Sequence, residues 1–210
     1  MMDLAFPITP TLSRSKRIKQ ATSSAHDRLD QVILDYRPFA APHRYRLFLR
    51  MQHGFHGSLQ HLYRALASDP RLSGFRCYSR FSRIEEDLRD LGENPSLIAA
   101  TVHHEPPILQ NLPSALGWLY VAEGSNLGAA FLLKEAMKLG FSETFGARHL
   151  AAPAEGRGAY WRSFTAVLDA IDLPEEAEAH VIRGAQHAFE SVRILASRIF
   201  TQEVADQETT

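Results

Sequence analysis

The sequence predicts an all-α fold in a single domain, on three observations. Apolar residues recur at the 3.6-residue helical period along the chain, and no stretch alternates as a half-buried strand would. At 210 residues with 45% hydrophobic content, the chain suits one domain with a substantial core. Helices are expected near 13–36, 43–68, 76–91, 113–139, 158–171 and 174–200, with shorter turns near 96–101 and 143–149.

Each boundary has a local reason. The first helix opens on the basic run Arg14-Ser15-Lys16-Arg17-Ile18-Lys19, and Pro38 and Pro42 separate it from the second. Gly92 and Pro95 close the third. The stretch 92–112, with His103-His104-Glu105-Pro106-Pro107, reads as an irregular connection. Gly140 ends the long apolar helix that starts near 113. Asp172-Leu173-Pro174-Glu175 reads as an N-cap, a proline just inside the helix and a capping carboxylate. No internal repeat, low-complexity tract or domain-sized linker interrupts the pattern. One domain over 1–210 is expected, with 1–12 and 203–210 as flexible termini.

Composition narrows the function. A net charge of −1 with 22% charged residues carries no nucleic-acid footprint, and the basic run at 14–19 reads as a helix start suited to a ligand with two carboxylates. The single cysteine, Cys77, excludes an intrachain disulfide framework and reads as a packing residue. The N-terminus lacks the basic start and apolar core of a secretory signal, and no apolar run approaches the roughly 18 residues of a membrane span. A cytoplasmic location is expected.

Two segments carry candidate chemistry. In Ser114–Leu139, Gly124 and Gly128 are four residues apart on one helical face, flanked by Tyr120 and Phe131 on nearly the same stripe. Each interior glycine costs about 0.5–1 kcal/mol relative to alanine. Such a pair serves either close helix–helix packing or approach of the backbone to something flat and bulky. In the second segment, Lys19, His26 and Asp30 project from one side of a helix. A neutral imidazole is the commonest side-chain metal ligand, and a carboxylate on its other ring nitrogen fixes the tautomer. Lys19 places a cation about two turns away, within reach of an acidic group. An ordinary polar histidine on an amphipathic helix remains the alternative.

Together these segments resemble the heme oxygenase family, its bacterial branch in particular. The resemblance runs through ATSSAHDRLD (21–30), ALGWLYVAEGSNLGAAFLLKEA (115–136), FGARHL (145–150) and YWRSFTAVLDAI (160–171), along most of residues 12–200. It implies a heme oxygenase-like fold in which heme lies between a proximal helix carrying His26 and a distal helix carrying Gly124 and Gly128. His26 would be the iron ligand and Asp30 its support. Lys19, Tyr120 and Arg162 would hold the propionates, and Phe131 would line the slot. Heme would be both cofactor and substrate, with O2 as co-substrate, giving biliverdin, carbon monoxide and ferrous iron. A ferredoxin or flavoprotein reductase would supply electrons, and a bilin-accepting protein would be a further partner.

The chain departs from the animal members at one position. The aspartate that follows their first distal glycine is Ser125 here, followed by Asn126. Bacterial relatives also lack it, so the resemblance implies an ordered water held by the distal-helix backbone, with help from Ser125 or Asn126. In the family, a lysine and a tyrosine at positions 19 and 120 accompany opening at the α-meso carbon. Relatives with another heme orientation place lysines where this chain has Leu34 and Glu135.

Other chemistry is less well supported. His53 and His56 can face each other, but His61 points elsewhere and no carboxylate completes a metal set, so surface or interhelical roles are expected. Glu-x-x-His, His-Glu-x-x-His, Cys-x-x-Cys-His and phosphate-binding glycine loops are all absent. Trp118 and Trp161 read as core or interhelical contacts. The competing reading on the same scaffold is a heme-binding or heme-trafficking protein without turnover. An all-α metabolite-binding protein is a third.

Overall fold

The structure, a computed structural model, describes residues 12–72, 74, 79–101 and 111–208, with side chains to 202. It has α1 (Arg14–Tyr36), α2 (Pro42–Ser58), α3 (Gln60–Ala67), α4 (Phe81–Asp90), α5 (Pro95–Thr101), α6 (Leu112–Lys138), α7 (Arg157–Ala170) and α8 (Glu175–Glu208). Single 3-10 turns lie at Pro70–Leu72 and Arg148–Leu150. Among the described residues there is no strand, only isolated bridges from Ser142 to Phe145 and Gly146. The fold class is all-α, as the periodicity requires.

Three boundaries differ from expectation. The helix expected over 43–68 breaks at Leu59 (φ −89°, ψ −4°), where its N–H turns back to His56 O. Gly54 and Gly57 weaken the helix there, and the Phe81 ring lies 3.0 Å from where a Gly57 Cβ would stand. The helix expected from 76 starts at Phe81, while α8 runs past its expected end at 200 to Glu208. Pro174 lies just before α8, whose first turn carries Glu175, Glu176 and Glu178 against the positive end of the helix dipole. Cys77, His103, His104 and Glu105 fall outside the described residues, as do 1–11 and 209–210 of the expected flexible termini.

α8 is the platform on which both candidate segments rest. It packs extensively on α6 and on α1, whereas α1 with α6 is not among the extensively packed pairs. The α6–α8 crossing is made by two glycines. A Cβ on Gly117 would lie 2.1 Å from Val181 O, and one on Gly184 would lie 2.2 Å from Ser114 O. The start of α1 is held by Arg14, 6% exposed, which donates to Glu178 (2.6 and 2.9 Å), to Ile171 O (2.8 Å) and to Leu168 O. Satisfying the guanidinium with carboxylate and carbonyl oxygens offsets its desolvation. Beyond Arg14, α1 fully buries only Ile18 and Thr22, so the opposite side of the helix stays open.

The glycines of α6 should therefore respond oppositely to alanine. Gly117→Ala is expected to lower stability by on the order of 3 kcal/mol, because backbone atoms of α8 must move. Gly128→Ala should raise it by about 0.5–1 kcal/mol, or about 1–4 °C in Tm. Thermal unfolding of the two variants decides it; equal Tm changes would dissolve the distinction.

Candidate functional site

The open side of α1 presents a histidine already oriented by a neighbour. His26 Nδ1 lies 3.1 Å from Asp30 Oδ2, one turn on, and its side chain is 58% exposed. The pair occupies one ring nitrogen and leaves Nε2 facing outward. Partial burial lifts the Asp30 carboxyl above its ordinary range, His26 draws it back and Asp27 adds to the rise. The Phe189 ring of α8 meets the imidazole edge-on at 5.7 Å. Lys19 is exposed on the same side and makes no ion pair among the described residues.

The glycine face of α6 is open as well. A Cβ on Gly128 would meet nothing within 4 Å, and one on Gly124 would meet only the Trp161 ring, at 3.3 Å. Gly128 is not a helix-packing glycine, whereas Gly117 and Gly184 are and Gly124 lies against the Trp161 ring of α7. Beside Gly124 and Gly128 on α6 stand apolar side chains that a buried face would cover, Leu127 at 44% and Phe131 at 61% exposure; Leu34, on α1, is 62% exposed. Tyr120, on the same stripe, is buried with its ring edge-on to Trp161 at 5.1 Å. Burial and the nearby Asp169 carboxylate push its hydroxyl up to about 12. Asp169 accepts hydrogen bonds from Ser15 N–H (2.7 Å) and Ser15 Oγ (2.8 Å), which ties the end of α7 to α1 one turn before Lys19. Arg162 is exposed on α7.

Ser125 and Asn126 lie off this face, because each helical step turns the side chain by about 100°. Ser125 Oγ donates to Ala122 O (2.7 Å) and accepts from Arg80. Asn126 is buried, its carbonyl accepts from Arg157 Nη1 (3.2 Å), and its side chain lines a cleft behind the helix. Their expected place beside a water on the glycine face is not where their side chains sit.

Sequence reasoning missed the polar layer behind α6. Glu123, 2% exposed, accepts from Tyr63 Oη (2.7 Å) and Tyr160 Oη (2.5 Å). Burial raises its carboxyl above the usual range, against the pull of the two hydroxyls and of Arg80. His149 Nδ1 lies 2.7 Å from Asp87 Oδ2, both fully enclosed. His56 is also enclosed, and burial first, then Arg80 and His149, hold its imidazole well below its ordinary pKa. The one signal for this layer was Glu123, a carboxylate directly following the apolar run 115–122. His53 and His56 are interhelical, and among the described residues no three His, Cys, Asp or Glu side chains gather as a metal site.

A lone oriented imidazole, an open glycine face and no competing metal cluster fit a planar metal-bearing group with one protein ligand. The family model for heme oxygenase matches residues 12–197. The chain belongs to the heme oxygenase family. Heme oxygenase PigA of Pseudomonas aeruginosa is 40% identical over 187 residues, covering 89% of this chain and 93% of that protein. The NO- and CO-bound heme oxygenase of Neisseria meningitidis superposes with a TM-score of 0.76 at 37% identity, covering 91% of this chain and 94% of its own. Heme oxygenase-1 of Synechocystis, solved with heme, shares the fold at a TM-score of 0.75 and 13% identity, covering 94% and 98%. This heme oxygenase is thus an all-α oxidoreductase. Among its described residues no helix is long and apolar enough to cross a membrane.

Proposed function

We propose that this heme oxygenase takes heme between the open side of α1 and the glycine face of α6, and that the chain's residues divide the work as follows. The observation that carries the reading is Gly128, whose Cβ would meet nothing while the chain accepts the helix-weakening residue. Bound heme supplies the redox iron and is itself the molecule opened, with O2 as co-substrate. His26 ligates through Nε2, and Asp30 on Nδ1 holds the ring plane and raises ligand basicity. Gly124 and Gly128 let the α6 backbone come close on the other side. Leu34, Leu127 and Phe131 cover the apolar plane and exclude water. The turn at Ser125 and Asn126 contributes through its main chain, since Ser125 Oγ is bonded to Ala122 O and Asn126 lines the cleft behind the helix. Electrons come from a ferredoxin or flavoprotein reductase in the cytoplasm, and the bilin passes to an accepting protein.

Hemin added to the purified protein, followed by a reductase system or ascorbate, tests the reading. A Soret band that forms and then gives way to bilin absorbance is expected. A Soret band stable to reductant would mean a carrier, and no band would mean that the open faces serve something else.

The edge that holds the propionates sets which meso carbon is opened. Lys19 and Arg162 are exposed cations, and Tyr120 lies near the start of α1. At the two positions where other relatives carry lysines, Leu34 offers no charge and Glu135 is paired with Lys138 at 2.6 Å. Biliverdin IXα is therefore the expected main product. Chromatography of the bilin isomers checks it, and a β or δ product would reverse the orientation while leaving the heme site where it is.

A further inference from the structure

Behind α6, away from its glycine face, a cleft of about 270 Å³ is bounded by the start of α4 and the loop before α7. Arg80, 8% exposed, lines it. Among the described residues only its Nη2 is engaged, on Ala122 O (2.8 Å) and on Ser125 Oγ, and no carboxylate lies within ion-pair distance. Arg83 lines the mouth, exposed and also without an ion pair among the described residues. Arg157, beside the cleft, donates to Asn126 O (3.2 Å) and Leu150 O (2.6 Å). Burial presses its guanidinium below the ordinary value, Glu143 pulls it back up, and the like charge of Arg80 adds to the lowering.

The carboxylates nearby do not neutralise this group. Both oxygens of Glu123 are taken by tyrosine hydroxyls on the inner side of the helix. Glu155 lines the cleft but is exposed and makes no ion pair among the described residues. The Glu123 carboxylate attracts Arg80 without pairing with it, so the guanidinium's planar fork stays available to the paired oxygens of an oxyanion. Asn126 turns an amide with no hydrogen bond among the described residues toward the same space. The wall opposite, Ala151-Ala152-Pro153-Ala154, is made of small side chains that leave room.

We propose that this cleft is a binding site for a small oxyanion, a phosphate or carboxylate group held by Arg80 and Arg83 with the Asn126 amide, separate from the heme site. The site stands whether or not heme binds as described above. Its ligand links the start of α4, α6 and the loop before α7, whose residues line the cleft.

The test is calorimetric titration of the heme-free protein with inorganic phosphate, ionic strength held constant with sodium chloride. Saturable one-site binding is expected. Arg83→Gln should weaken it about tenfold, the loss of one charge-assisted contact. Ala154→Glu, an exposed position, should abolish it by placing a carboxylate inside the cleft, with circular dichroism confirming the fold. A parallel acetate titration identifies the group: competition with phosphate means a carboxylate satisfies the site, and exclusion means a phosphate site. Binding that survives both variants unchanged would mean an adventitious ion only. Absence of binding in the wild type, with binding appearing in Glu155→Gln, would mean that Glu155 is the occupant; either result overturns the proposal.

Discussion

His26→Ala should reduce bilin formation below detection while leaving the helix that carries it intact. The imidazole is 58% exposed and held by Asp30 at 3.1 Å and the edge of Phe189, so truncation removes little packing and stability should change by less than about 1 kcal/mol. What is lost is the proposed ligand, and no cluster of metal-binding side chains exists among the described residues to replace it. The spectrum of added hemin should therefore shift away from that of the wild type, and free imidazole should restore part of both spectrum and turnover. Asp30→Ala should do less, weakening heme affinity or activity by about 10–100-fold, because it removes only the group that orients the ring. Wild-type spectrum and activity in His26→Ala would move the site elsewhere.

Gly128→Leu should separate binding from turnover. The position is exposed, its Cβ would meet nothing, and leucine is the better helix former, so α6 should be as stable or more stable. The new side chain stands where the backbone is otherwise bare. Reacting groups displaced by about 1 Å can lose on the order of a hundredfold in rate, and that is the size of the expected fall in bilin yield. Hemin titration should still give a Soret band. Gly124→Leu should be less selective, since its Cβ lies 3.3 Å from Trp161 and strain there would disturb α7 too. An unchanged yield from Gly128→Leu would make the open face incidental.

Much of this molecule is written in short-range pattern. α1, α6 and α7 start and stop within a residue or two of expectation, because helical periodicity, Pro38, Pro42 and Gly140 are local signals. The His26–Asp30 pairing follows from their one-turn spacing alone. The break at Leu59 was not legible, because it accompanies a contact from Phe81, far along the chain.

The glycines mark where sequence stops and tertiary structure decides. Gly117, Gly124 and Gly128 lie on nearly one stripe of one helix, and the chain by itself leaves both packing and ligand approach open. At Gly117 the α8 backbone fills the space, with Val181 O 2.1 Å from a built Cβ; at Gly128 nothing does. Ser125 and Asn126, adjacent to Gly124 in sequence, are turned by the helical step toward Arg80 and the rear cleft. Arg80 and Glu123 likewise become neighbours only through packing. The sequence by itself determined the all-α class, the main helices and the His26–Asp30 pairing, because each rests on spacing within one segment, while the family followed from the resemblance of several segments in order. Which face of α6 is open, which glycines pack and where the buried charges meet depend on what lies opposite each residue, and only the arrangement of helices around α8 decided that.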